Sequence, residues 1–248
     1  MLSPREHERY DRQIRLLGVG GQYKLKQAKV FIAGAGGLGC PISIYLAAAG
    51  IGKISIVDKD VVSLSNLNRQ ILHWEKDLYR KKASSAEEKL IEINHDIDVR
   101  AESLTITKEN VFELVEDADL IIDAMDNYPA RYLLNKTAIE KDIPFIHGAI
   151  NGFHGQAMTV VPGKSACLSC VFRQAPPETA FPVIGTTAGI IGLIQATEAI
   201  KCITGIGDLL EGKLLLWNGL DCQTEIVQVE RDSLCQDCRN SRTEEVSG

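Results

Sequence analysis

Lys29-Val30-Phe31-Ile32-Ala33-Gly34-Ala35-Gly36-Gly37-Leu38-Gly39 is the stretch that decides the fold. Its apolar run reads as a short buried strand feeding directly into a glycine cluster, and residues 41–49 beyond it read as a buried helix. Gly34, Gly36 and Gly39 let backbone approach phosphate oxygens and let the helix pack on the strand, while the helix N-terminus offers N–H groups and the favourable end of its dipole. A second strand over 53–57 ends in Asp58, the place where an acidic residue binds a ribose hydroxyl pair. Residues 34–58 thus fit the first βαβ unit of a doubly wound sheet. Glycines alone would also make a tight turn, so the nucleotide reading needs further residues.

Outward from that unit the alternation continues. A charged helix is expected over 79–94, a strand over 99–105, a strand over 119–124 (Asp-Leu-Ile-Ile-Asp-Ala), an apolar helix over 128–141 and a strand over 144–150. Beyond Gly152 the pattern changes. Residues 156–161, 213–217 and 224–230 read as antiparallel strands, with a glycine-punctuated apolar helix over 189–204. Residues 171–187, with Pro176, Pro177 and Pro182, read as a crossing loop, and 240–248 as a frayed polar tail. The fold class is α/β: a doubly wound mixed sheet with a Rossmann-like core and antiparallel C-terminal strands. One domain spans 1–248, divided into an N-terminal arm with helices (1–28), a nucleotide-binding half (29–151), a second half (152–240) and the tail (241–248).

Composition sets the bounds. The 248 residues are 45% hydrophobic and 24% charged, enough for one α/β core. Twenty-seven basic against 33 acidic residues give a formal charge of −6, so no broad footprint for nucleic acid or anionic membrane is present. Met1 leads into the polar stretch Ser3-Pro4-Arg5-Glu6-His7-Glu8-Arg9 without an apolar leader, and no apolar run is of spanning length, so a cytoplasmic location is expected.

Asn66, Asn68, Arg69, Gln70, Lys82 and Asp126 sharpen the nucleotide reading. Hydride transfer has no need of a guanidinium and an ammonium converging on phosphates, whereas displacement at the α-phosphate of ATP builds negative charge that such groups stabilise. Asp126, just past the 119–124 strand, is placed to hold Mg²⁺ at the mouth of the sheet. Each residue also has a bland reading: Arg69 as a solvated loop charge, Lys82 on an exposed helix face beside Lys81, and Asp126-Asn127 as a helix cap.

Four of the seven cysteines form two Cys-x-x-Cys pairs, Cys167/Cys170 and Cys235/Cys238. Each pair can present two thiolates to one ion, and four sulfurs complete a closed tetrahedral zinc site whose role is structural. A redox dithiol fits less well, because two copies far apart in the chain suit a tie between distant segments.

On these residues the chain resembles the ThiF/MoeB/HesA family, relatives of ubiquitin-activating enzymes. The resemblance rests on Arg9-Tyr10-Asp11-Arg12-Gln13, the 34–39 glycines, Asp58, Ser65-Asn66-Leu67-Asn68-Arg69-Gln70, Lys82, Asp126-Asn127 and the cysteine pairs. It implies an adenylyltransferase that activates the C-terminal glycine carboxylate of a small ubiquitin-like sulfur-carrier protein ending in Gly-Gly, using ATP and Mg²⁺ and releasing pyrophosphate. It also implies Gly37 and its neighbours, with Asn68, Arg69 and Lys82, on the phosphates; Asp58 on the ribose; Ser65, Asn66, Leu67, Gln70 and Asn127 as further ATP contacts; and Asp126 on Mg²⁺. Residues 152–240 become the carrier- and zinc-binding half. Arg12 resembles the arginine that reaches a neighbouring subunit's ATP site, which implies a homodimer. A planar fork of donors suits triphosphate oxygens.

One departure stands out. Thioester-forming relatives keep a nucleophilic cysteine in or beside the crossing loop, yet residues 171–201 contain none. Cys40, Cys202 and Cys222 read as core fillers. The expectation is an enzyme that stops at the acyl-adenylate and hands it to a separate sulfurtransferase in thiamine, molybdopterin-type or another sulfur pathway. The alternatives are an adenylating relative acting on a peptide or a tRNA nucleoside, a nicotinamide-dependent oxidoreductase, or a non-catalytic nucleotide-binding module. The oxidoreductase leaves Arg69, Lys82 and the cysteines unexplained, and Arg69, Lys82 and Asp126 argue against the module.

Overall fold

The computed structural model describes residues 1–175 and 182–239. Helix α1 (Pro4–Arg9) opens with a reciprocal capping box between Ser3 and Glu6, and α2 (Asp11–Gln27) breaks at Gly18, whose φ is +71°. The chain then builds β1 (Lys29–Ala33), α3 (Gly39–Ala49), β2 (Lys53–Val57), α4 (Lys82–Ile93), β3 (Asp98–Glu102), α5 (Val111–Val115), β4 (Leu120–Asp123), α6 (Tyr128–Lys141) and β5 (Phe145–Asn151). After these come β6 (His154–Val160), α7 (Leu168–Val171), α8 (Gly185–Thr204), β7 (Lys213–Asn218) and β8 (Gln223–Gln228).

One eight-stranded sheet runs in the order β3-β2-β1-β4-β5-β6-β7-β8. The first five strands are parallel, and β6, β7 and β8 add antiparallel pairs. Register aligns the strand ends, with Ala33 opposite both Val57 and Asp123. Gly34, Asp58 and Ala124 therefore leave the sheet together at its carboxyl edge, where ligands of such sheets bind. Alternation along β1 divides the core, with Val30 and Ile32 packing among α3, α4 and α8, and Phe31 and Ala33 packing with α5, α6 and the cysteines.

Three boundaries differ from expectation by three residues or more. The helix expected from residue 79 starts at Lys82, because Tyr79 takes a left-handed φ of +69° and Lys81 bridges Val61. The strand expected to reach 105 stops at Glu102, which frees the next residues to turn over the sheet edge. Helix α8 starts at Gly185, four residues before Gly189. Part of the expected crossing loop and the expected tail lie outside the described residues.

Candidate functional site

A cavity of about 1670 Å³ opens over the carboxyl edge of the sheet. Gly34, Gly36, Gly37, Asp58, Arg69, Gln70, Lys82, Asp126 and Asn127 line one end of it. The glycines divide the work. Gly34 has a φ of +105° and leaves no room for a Cβ beside Ala124, and a Cβ on Gly39 would lie 2.0 Å from the Gly34 carbonyl oxygen. Those two close the turn and seat α3 on β1. At Gly36 a Cβ would meet only Gln70 Nε2, at 3.6 Å, so this position keeps space open for a ligand. Helix α3 carries no side-chain cap at its N-terminus, leaving its dipole end to an anion.

Asp58 fixes the loop as well as facing the cavity: Ala35 N–H donates to its Oδ2 and Asp60 N–H to its Oδ1, both at 2.8 Å. Lys82 is 6% exposed and pairs with Asp60 at 3.2 Å, so it does not sit on an exposed helix face. Arg69 is half-buried at the cavity, its guanidinium steadied by the Ser65 carbonyl and Asn68 Oδ1. Gln70 is buried with Oε1 unpartnered, a polar atom left for a ligand. Asn127 is indeed a helix cap, its Oδ1 accepting from Ala130 N–H at 3.0 Å, and it lines the cavity too.

The other expected residues lie outside the lining. Gly39 is structural, Ser65 and Asn68 support Arg69, Asn66 closes a short 3₁₀ turn by accepting from Ser63 N–H, Leu67 follows that turn, and Arg12 is exposed on α2.

Sequence reasoning missed several residues here. Asp60 is one, although a carboxylate two positions beyond Asp58 at the end of a strand was a signal. Leu104, Thr105, Ile106, Thr107 and Lys108 form a further wall, which the rule that ligands bind beyond strand carboxyl ends could have found after β3. Beneath Asp126 lies a buried cluster with no local signature. Asp123 Oδ1 accepts from Met125 N–H at 3.0 Å, Asp123 Oδ2 pairs with His147 Nδ1 at 2.7 Å, and Arg131 donates to the Met125 carbonyl at 2.7 Å. Burial pushes His147 below its ordinary range, against the pull of Asp123. A neutral ring with Nδ1–H toward Asp123 results, and the loop carrying Asp126 is held at both the N–H and the carbonyl of Met125.

From this end the cavity continues to Ala149, Gly155, Gln156, Leu216, Trp217 and Thr224 on β5 to β8. Mg²⁺ would fit at Asp126: it prefers one or two carboxylates with phosphate oxygens and water, and this carboxylate shares the cavity with Lys82 and Arg69.

The four cysteine sulfurs lie within 4.8 Å of one another. Cys167–Cys170, Cys167–Cys235 and Cys170–Cys238 are 3.7, 3.6 and 3.4 Å apart. A tetrahedron with Zn–S bonds of about 2.3 Å has edges of about 3.8 Å, so the donor set and spacing fit zinc. Asp232 N–H donates to Cys170 Sγ, and Asn135 of α6 accepts from Leu168 N–H at 2.9 Å, tying the knot to the sheet's helical layer.

Of the remaining thiols, burial pushes Cys40 up to about 12, and burial with the Glu198 charge pushes Cys202 up to about 11. Both are inert at neutral pH. Cys222 corrects the expectation of three core fillers: it is exposed, with φ of +55°, in the turn between β7 and β8. A residue bordering a strand can sit on its hairpin tip, which sequence position alone does not reveal.

Strand order, glycine loop and charged lining together define a nucleotide-binding α/β protein of the doubly wound kind, with a four-sulfur knot packed against α6. The ThiF family matches residues 10–238, and the chain belongs to that family, as an E1-like adenylyltransferase. It is 40% identical over 245 residues to the SAMP-activating enzyme E1 of Haloferax volcanii, covering 96% of this chain and 90% of that protein. It is 38% identical over 252 residues to the sulfur carrier protein adenylyltransferase of Thermus thermophilus, covering 96% and 93%. Among solved structures, E. coli MccB with ATP is similar at a TM-score of 0.86 and 25% identity, over 94% of this chain and 75% of that one. No helix among the described residues is long and apolar enough to cross a membrane.

Proposed function

We propose that this chain adenylates the C-terminal glycine carboxylate of a small ubiquitin-like sulfur-carrier protein and releases pyrophosphate. The observation that carries the reading is the continuity of the cavity, from Gly36, Arg69, Lys82 and Asp126 to the strand-lined stretch at Gly155, Gln156 and Trp217. An extended, side-chain-poor tail entering along β6 and β7 would bring its end to the phosphates. The names of the Haloferax and Thermus relatives support a carrier as the substrate.

In the reaction a carboxylate oxygen forms a bond to the α-phosphorus as the bond from that phosphorus to the pyrophosphate oxygen breaks. The carboxylate is already ionised at neutral pH, so no general base is needed. What the site must supply is alignment and positive charge. Lys82, released from Asp60 by the arriving triphosphate, would follow the growing charge on the α-phosphate, and Arg69 would hold the leaving pyrophosphate. Asp58 would hold the ribose, and Asp126 would bind Mg²⁺, which supplies charge neutralisation on the phosphates when bound.

The active unit is a symmetric homodimer in which Arg12 completes the partner's site, and the adenylate passes to a separate sulfurtransferase. Carrier-dependent exchange of label between pyrophosphate and ATP, with Mg²⁺ and a purified Gly-Gly-ending ubiquitin-like protein, tests the activity. Exchange lost when the terminal glycine is deleted supports it. Exchange that proceeds with short peptides and with no such carrier would overturn it.

A further inference from the structure

A buried chain of polar groups, none of them in the cavity lining, runs to the backbone of the glycine loop. It begins at the ion pair of Asp77 and Lys89, which are 0% and 5% exposed. Lys89 Nζ donates to Ser85 Oγ at 2.7 Å, Ser85 Oγ lies 2.9 Å from His73 Nδ1, and His73 Nε2 lies 2.9 Å from the Ala35 carbonyl oxygen. Donor and acceptor chemistry fixes each direction for a neutral ring. A carbonyl can only accept, so Nε2 carries the proton; Nδ1 of a neutral ring then accepts from the Ser85 hydroxyl, whose oxygen takes the ammonium hydrogen. The Cys40 thiol adds a weaker contact to the same carbonyl at 3.5 Å.

The Ala35 residue is therefore gripped twice, with Asp58 on its N–H and His73 on its carbonyl. A trans peptide points its carbonyl and the next N–H in opposite directions. With the Ala35 carbonyl facing His73, which lies outside the cavity lining, Gly36 N–H faces the other way, at a residue that does line the cavity.

We propose that His73 is a positioning residue for the nucleotide: by holding the Ala35 carbonyl it aims the Gly36 N–H at a phosphate oxygen of bound ATP, while Ser85, Lys89 and Asp77 hold its ring in one tautomer. The inference rests on the adenylation reading above. Desolvation pushes His73 below its ordinary range; the Ala35 contact and Asp58 oppose this, and Lys89 and Lys82 add to it. The neutral ring of this arrangement is thus favoured near neutral pH. A pre-aimed N–H costs no reorganisation when the phosphate arrives.

Binding of Mg–ATP and of adenosine, measured by calorimetry on the full chain, separates this role from mere support of the core. His73→Phe keeps ring bulk but removes the donor; His73→Gln keeps an N–H donor. His73→Phe is expected to weaken Mg–ATP about 10-fold, the effect of one lost phosphate hydrogen bond, with adenosine within about twofold. His73→Gln should recover binding to within about threefold of wild type. Equal losses for the two ligands, or no loss of Mg–ATP, overturn the inference. Should His73→Phe not fold, Ser85→Ala decides: about a threefold loss confined to Mg–ATP supports it, and unchanged Mg–ATP binding overturns it. A wild-type chain that binds no Mg–ATP sinks the adenylation reading itself, an outcome distinct from wild-type binding that His73→Phe leaves untouched.

Discussion

The glycine-loop cavity and the four-cysteine cluster solve opposite problems. At the glycine loop, backbone groups and charged side chains are held in place yet left facing a cavity: Asp58 grips Ala35, Asp123 and Arg131 grip Met125, and Lys82 waits on Asp60. At the cysteine cluster, four sulfurs close on one another, and no cysteine lines the cavity among the described residues. Pre-organisation at the first comes from hydrogen bonds that a ligand can join. At the second it comes from a knot with no open position, so a metal there has no place to bind substrate.

If that division of labour holds, the largest catalytic effect belongs to Lys82. Lys82→Ala should lower the maximal rate of adenylate formation about 100-fold or more while changing ATP affinity little, because the ammonium is wanted most as charge builds on the α-phosphate. Single-turnover kinetics separate the two quantities. A variant that loses affinity and keeps its rate makes Lys82 a binding group and nothing more.

The knot should show the reverse pattern. Wild-type protein is expected to carry about one zinc per chain by elemental analysis. Cys235→Ser should abolish it and lower the thermal midpoint by about 10 °C, the effect of roughly 3–4 kcal/mol in a chain of this size. Carrier use should suffer more than ATP binding, since β7 and β8 line only the far part of the cavity. Equal damage to both would mean that the two sites are not separable.

Within the glycine loop, two alanines sharpen the contrast between structure and binding. Gly39→Ala drives a Cβ into the Gly34 carbonyl and should cost about 1–3 kcal/mol of stability, seen in denaturant melts. Gly36→Ala meets only Gln70 Nε2, at an ordinary contact distance of 3.6 Å, so stability should stay within about 0.5 kcal/mol while ATP affinity falls about 10-fold.

These positions also show what was legible in the sequence. The glycine loop and Asp58 form a local pattern, and the cysteine pairs announce themselves by spacing, so the fold and the four-cysteine cluster are legible directly. The burial of Lys82 is not legible in the sequence, because its partner Asp60 arrives from another segment. His73, Arg131 and His147 lie in ordinary-looking apolar or helical surroundings, and only tertiary packing brings them under the two loops they hold. Cys222 was misread because a hairpin tip and a strand border look alike in one dimension.

Arg12 tests whether the glycine-loop cavity is complete within one chain. It does not line the cavity, and its side chain lies on the exposed part of α2. Mixing Arg12→Ala with Asp126→Ala protein should restore about a quarter of wild-type activity, since half the dimers are hybrids with one intact site each. No recovery despite proven subunit exchange would mean that Arg12 does not act in a partner's site.

The smallest expected effect is at Cys222, and it bears on how far the chemistry goes within this chain. Cys40 and Cys202 are held protonated by burial, and the cysteines of the knot are committed to one another. Cys222 alone is exposed, one residue before Gln223 of the cavity lining, so it is the thiol with access to an activated carboxylate. Access is not activation. Its neighbour Asp221 is occupied in the turn, accepting from Asn218 Nδ2 and Gln223 N–H, and so is not free to take the thiol proton. Incubating enzyme, carrier, ATP and Mg²⁺ and measuring intact mass without reductant should therefore show the carrier adenylate and no enzyme–carrier adduct. Cys222→Ser should leave exchange within about twofold of wild type. A thiol-sensitive adduct that disappears in Cys222→Ser would move the acyl acceptor onto this chain, at the β7–β8 turn.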